Sequence, residues 1–254
     1  MQHYPLPWKT IWITGASSGI GRRLAIDLAG RGACVAVSAR SVDTLAVLAD
    51  DHDNIRSYPL DVTDLAACRK TAEAIAAEIG PIDLVIPAAG VWIIRDVESF
   101  RADDSASAMR VNYEGAVNVI DAVLPAMTQR RAGQIAPIAS VAGYRGIPRA
   151  VTYAPTKAAL ISLAEALRSD AAQHGIKMQI INPGFVRTPM TENNDFPMPF
   201  LLEPEDASQR IIAGLASNRF EIVFPARLAV IMKLLRVLPY SIYFRLMARF
   251  VQRK

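Results

Sequence analysis

The sequence predicts an α/β fold: a doubly wound parallel sheet of about seven strands with helices on both faces, followed by a basic amphipathic helical tail. Three features predict it. Short apolar runs alternate with longer helical patterns as far as about Phe224, the order expected when each strand returns to the sheet through a helix. A cluster of glycines joins the first apolar run to the first helical stretch. The 254 residues, 52% of them hydrophobic, suffice for one large core, and no repeat or linker interrupts them.

Taken in order, the strand-like runs are Thr10–Thr14, Cys34–Ala39, Ile55–Pro59, Leu84–Pro87, Gln134–Ile138, Met178–Ile181 and Glu221–Phe224. Between them the pattern predicts helices over about Ile20–Gly30, Val42–Asp50, Leu65–Ile79, Asp103–Arg130, Thr152–His174 and Pro204–Ser217. Asp64, Asp103 and Glu205 stand where negative charge suits a helix start. Pro137 falls inside the fifth run and, lacking an N–H, fits a central strand badly. Cys34 and Cys68 form no disulfide or metal pattern and read as packing residues. His3, His52 and His174 are scattered, so no metal site is expected.

Two motifs carry chemistry. Gly15-Ala16-Ser17-Ser18-Gly19-Ile20-Gly21 follows the first strand and opens the first helix. Glycines there let the backbone approach a pyrophosphate at the helix N-terminus. Tyr153 and Lys157, four residues apart, share one helix face. An ammonium beside a phenol favours the phenolate and lowers a pKa that is ordinarily about 10. Such a phenol gives a proton to a carbonyl oxygen or takes one from an alcohol. Ser140, at a strand end, is placed to hold the same oxygen.

With Asp61-Val62, Ala89-Gly90, Asn112 and Pro183-Gly184, these residues make the chain resemble the short-chain dehydrogenase/reductase family in its single-domain form, from about Lys9 to about Phe224. The resemblance implies a Rossmann-type sheet, an NAD(P) cofactor, a Ser140-Tyr153-Lys157 site and a homodimer or homotetramer. It makes Asn112 the residue that completes a proton relay by positioning a water between Lys157 and solvent. It sets Gly15, Ser17, Ser18, Gly19, Ile20, Gly21, Asp61, Val62, Ala89, Gly90, Tyr153, Lys157, Pro183, Gly184, Val186 and Thr188 around the cofactor. At the end of the second strand it aligns Ala39 with the family's acidic position and puts Arg40 next to it. No carboxylate there repels a phosphate, and an arginine can grip one, with help from Ser17, Ser38 and Ser41, so NADP(H) is favoured over NAD(H). The chain departs from the family at Pro87-Ala88, where two asparagines are common, and at Ala136-Pro137.

The expected function is interconversion of a ketone or aldehyde and an alcohol. The apolar segment Met190–Leu202, which in the family closes over substrate, suggests a lipophilic one. The alternatives are a reductase of a small polar or acyl-thioester ketone, or a cofactor-binding scaffold without turnover. Residues 1–225 form the expected catalytic domain. The 226–254 extension holds Arg227, Lys233, Arg236, Arg245, Arg249, Arg253 and Lys254 and no acidic residue, a charge of +7, against −3 for the rest of the chain. The basic surplus is therefore local and does not argue for nucleic-acid binding. Ser241, Arg245, Arg249 and Gln252 line one helical face in the extension, so it reads as a membrane-surface element, or as cover for the pocket or a partner subunit. With no signal peptide and no spanning run, the expected location is cytoplasmic or peripheral to a membrane.

Overall fold

The computed structural model describes residues 6–192 and 194–251, the side chains of residues 249–251 excepted. In chain order the elements are β1 (Thr10–Thr14), α1 (Gly19–Ala29), β2 (Cys34–Ser38), α2 (Val42–Asp50), β3 (Ile55–Ser57), α3 (Leu65–Glu78), β4 (Leu84–Ile86), α4 (Ala102–Met109), α5 (Gly115–Arg130), β5 (Gly133–Ile135), α6 (Ala154–Gln173), β6 (Ile176–Met178), β7 (Ile180–Pro183), α7 (Pro189–Glu192), α8 (Pro204–Leu215), β8 (Glu221–Phe224), α9 (Ala226–Val237) and α10 (Tyr240–Val251). Strands pair in parallel in the order β3-β2-β1-β4-β5-β6, and β7 pairs in parallel with β8. The order reverses direction at β1, and the crevice outside the strand ends at such a point is where doubly wound sheets bind ligands.

Each face of the sheet buries its own core, because neighbouring residues on a strand point to opposite sides. Ile11 and Ile13 pack with Leu24 and Leu28 of α1, Leu45 and Leu48 of α2, and Ile211 and Leu215 of α8. Trp12, between them, faces Cys68 and Ile75 of α3, Val119 and Val123 of α5, and Leu160 of α6. β1 is buried along its whole length, as expected of a strand covered by helices on both sides.

Three expectations are corrected. The expected strand Met178–Ile181 is two, β6 and β7, so the described residues hold eight strands rather than seven. Pro137 explains the break. The register is the same on both sides of it, with Ile135 opposite Met178 and Ile138 opposite Ile181. Pro137 O still accepts from Ile181 N at 3.0 Å, and Ala139 N donates to Ile181 O at 2.8 Å. Only the N–H that proline lacks is missing, so the ladder loses a rung without slipping. The expected helix Asp103–Arg130 is α4 and α5 joined by a π-turn at Arg110–Glu114. Cys34 is exposed, unlike buried Cys68; it is the first residue of β2, at the strand's outer end just after the turn that follows α1.

Asp64 caps α3 by accepting from Ala67 N at 2.9 Å, as its position predicts. Asp64→Ala is expected to lower unfolding stability in urea by about 1 kcal/mol, and Asp64→Asn to keep most of it. An unchanged midpoint in the alanine variant would remove the cap from the account of α3.

Candidate active site

A cavity of about 270 Å³ lies along the carboxyl ends of the strands. Gly15, Ser17, Ser18, Gly19, Ile20 and Gly21 line it after β1, and Ala39, Arg40 and Ser41 after β2. Asp61 and Val62 follow β3; Ala89 and Gly90 follow β4. Ser140 comes after β5, Tyr153 and Lys157 from the start of α6, and Pro183, Gly184, Val186 and Thr188 from β7 and beyond. Ser38 does not line the cavity: it is fully buried and its Oγ accepts from Trp12 Nε1 at 2.9 Å. Asn112 also lies behind the wall, 1% exposed.

The glycine turn fits a nucleotide pyrophosphate. Gly15 has φ +68°, and a Cβ there would stand 2.6 Å from the Ala89 backbone. A Cβ on Gly21 would stand 2.5 Å from Gly15 O. Only glycine permits this closeness. Ser18 caps α1 without a side-chain hydrogen bond, and the first turn carries no acidic residue. The first N–H groups of α1 are thus left to an anion in the cavity. At the far end Arg40 is exposed beside Asp61, whose carboxyl is held below its usual range by the Thr63 N–H, by the Thr63 hydroxyl and by Arg40. Asp61 therefore serves as a turn residue while lining the cavity. Thr14 Oγ1 accepts from Ala88 N at 3.2 Å and so ties the end of β1 to the chain after β4.

The reacting end is built around Lys157, 4% exposed, whose Nζ donates to Ile138 O at 2.8 Å and lies 5.4 Å from the centre of the Tyr153 ring. Burial pushes its ammonium down to about 8. Tyr153 differs from expectation: desolvation pushes its phenol up to about 12, with the Ser140 hydroxyl pulling it back only in part. Lys157 lies against the ring of Tyr153, and desolvation is the largest effect on the phenol. Ser140 Oγ also accepts from Ala142 N at 3.1 Å and donates to Pro183 O at 3.3 Å.

Asn112 sits in the π-turn, a feature frequent at functional sites. Its Oδ1 accepts from Val91 N at 2.7 Å, and its Nδ2 donates to Val91 O at 3.0 Å and to Thr156 Oγ1 at 3.1 Å. The side chain therefore ties the chain after β4 to the start of α6.

The sequence reading missed Trp92. Its ring meets Tyr153 edge-on, 4.8 Å between centroids at 86°. Trp92 Nε1 donates to Asn194 Oδ1 at 3.0 Å, and Phe196 stands 6.5 Å from Trp92 and 6.1 Å from Phe185. The segment carrying Asn194 and Phe196 is pinned at its base, where Arg187 N donates to Leu202 O and Leu202 N to Phe185 O. Only its apolar composition signalled this in the sequence.

A family model described as short chain dehydrogenase matches residues 9–197. The chain belongs to the short-chain dehydrogenase family. This dehydrogenase is 35% identical to an uncharacterized oxidoreductase of Myxococcus xanthus over 242 residues, 94% of this chain and 96% of the relative. Among solved structures it is similar to a short-chain dehydrogenase/reductase of Burkholderia phymatum in complex with NAD, at TM-score 0.83 and 24% identity, covering 91% of this chain and 94% of that one. It is also similar to ElxO with NADP bound, at TM-score 0.76 and 23% identity, covering 85% and 97%. At these identities the two structures speak for the fold alone. The chain is an oxidoreductase with a Rossmann-like parallel sheet.

Proposed function

We propose that this dehydrogenase reduces a lipophilic ketone or aldehyde with NADPH, Tyr153 donating the proton. The observation that carries this reading is the single cavity that holds the glycine turn at one end and Ser140, Tyr153 and Lys157 at the other. Arg40 supports NADP over NAD, since a guanidinium at the ribose end matches the extra phosphate. The edge-on Trp92 and neighbouring Phe196 support an apolar substrate, because they form an aromatic wall against the phenol.

A nicotinamide bound in the cavity supplies the hydride for the carbonyl carbon. The residues of the chain do the rest. Ser140 holds the carbonyl oxygen by hydrogen bond, and Tyr153, protonated throughout the neutral range, delivers its proton to that oxygen as charge develops there. A phenol held in its protonated form starts ready for reduction, whereas oxidation must first remove that proton. Lys157 holds positive charge beside the phenol and stabilises the phenolate left behind. Trp92 and the 187–202 segment exclude water from the phenol, which strengthens each of these interactions.

Tyr153→Phe is expected to cut turnover by about 100-fold or more while leaving NADPH binding intact; retained turnover would remove Tyr153 as the acid. Arg40→Asp should weaken NADPH much more than NADH in a fluorescence titration, and equal weakening would take Arg40 out of the phosphate site. Lys157 loses its charge as pH rises through about 8, so the reduction rate should fall across that range. A rate that holds level well above it would contradict the role given to the ammonium.

A further inference from the structure

The C-terminal helices present a surface that the oxidoreductase site does not use. α9 buries Leu228, Ala229 and Met232 against the protein. Opposite that face, Val230, Leu234 and Val237 follow one another at helical spacing and are 58%, 60% and 76% exposed. Ile231 is exposed beside them. A helix apolar on both its inner and outer faces calls for a cover on the outer one. Beyond Pro239, α10 buries Tyr243 and Met247, while Tyr240 and Phe244 stack on each other at 5.6 Å and remain exposed.

This arrangement is held in place by the body of the protein. Arg145 Nη1 donates to Leu235 O at 2.6 Å, Arg236 O at 2.9 Å and Leu238 O at 2.7 Å, closing the C-terminal end of α9. Its guanidinium lies 3.9 Å from the Tyr243 ring centre and 4.9 Å from that of Tyr240. Lys233 pairs with Glu221 of β8. The outward apolar residues are thus fixed in orientation.

We propose that the outer face of α9, with the Tyr240–Phe244 flank of α10, docks on an anionic lipid surface. Charge complementarity selects this occupant. The extension is +7 with no acidic residue, and Arg227, Arg236 and Arg245 are exposed among the apolar side chains. Arg249 is counted in that charge, but its side chain lies outside the described residues, as do Gln252, Arg253 and Lys254 altogether. Basic and aromatic side chains around an apolar stripe suit a helix lying in the headgroup region. A second copy suits this face less, since a two-fold contact sets the same patch against itself and brings like charges together. Among the described residues no helix is long and apolar enough to cross a membrane, so the contact is interfacial. α9 also touches the cavity wall: a Cβ on Gly184 would stand 2.7 Å from Leu228 Cδ2. The docked helix therefore braces a loop that lines the active site.

Partition onto vesicles, measured by co-sedimentation without nucleotide or carbonyl, tests the proposal independently of the reaction. The full chain is expected to bind phosphatidylcholine vesicles containing phosphatidylserine at least tenfold more tightly than phosphatidylcholine alone. Val230→Ser, Leu234→Ser and Val237→Ser together should reduce that binding at least tenfold and leave NADPH affinity unchanged, which shows the variant is folded. Equal binding to both vesicles, or native binding by the triple variant, would overturn the proposal. So would a native chain that ignores vesicles and forms a dimer lost in the triple variant, because a second copy would then be the cover.

Discussion

The burial of one ammonium constrains most of the active end of this protein. Lys157 is almost wholly out of water, and its Nζ is held by the Ile138 carbonyl. A buried charge is costly unless its surroundings compensate, and several features of the chain surround it. Gly143 lies against the Lys157 backbone, where a Cβ would stand 2.7 Å from its carbonyl carbon. Gly90 lies between Asn112 and Lys157, where a Cβ would stand 3.3 Å from Asn112 Oδ1. Asn112 ties the chain after β4 to Thr156, the residue before the lysine. The π-turn that holds Asn112 is part of the same arrangement.

Burial also explains how the site divides its labour. The phenol and the ammonium are both driven toward their neutral forms by desolvation. The phenol is thereby kept protonated at neutral pH, and the ammonium is brought near the physiological range, where small changes in surroundings alter its charge. The aromatic contact between Trp92 and Tyr153 belongs to the same burial of the phenol. On another side of the cavity, Leu228 of α9 packs against Gly184.

What the sequence revealed follows from the range over which each signal acts. The glycine turn, the Tyr153–Lys157 pair and the cap at Asp64 depend on residues a few positions apart, and the structure brings all of them where local spacing put them. The alternation of strands and helices was legible for the same reason. The loss of a ladder rung at Pro137 was visible as an awkward residue, but the survival of the register around it depends on partners some forty residues away. Trp92 was invisible because its position is set by a loop that closes on itself at Leu202. The direction of the Tyr153 shift was misread, because spacing reports a neighbouring charge and says nothing of desolvation. Ser38 was claimed by Trp12 across the sheet, a contact no local pattern announces. In α10 the helical period marked the outward Ser241 and Arg245, yet it did not single out Tyr243 and Met247 as the buried pair.

The central claim is that this cavity brings a reduced nicotinamide and a carbonyl together beside Tyr153. Its most direct test is to supply NADPH dideuterated at the nicotinamide C4 with an apolar ketone and to analyse the alcohol formed by mass spectrometry. The account predicts one deuterium per alcohol, on the carbinol carbon, with the hydroxyl proton drawn from solvent through Tyr153. Alcohol without deuterium at that carbon, or tight NADPH binding with no alcohol from any apolar ketone, would contradict it.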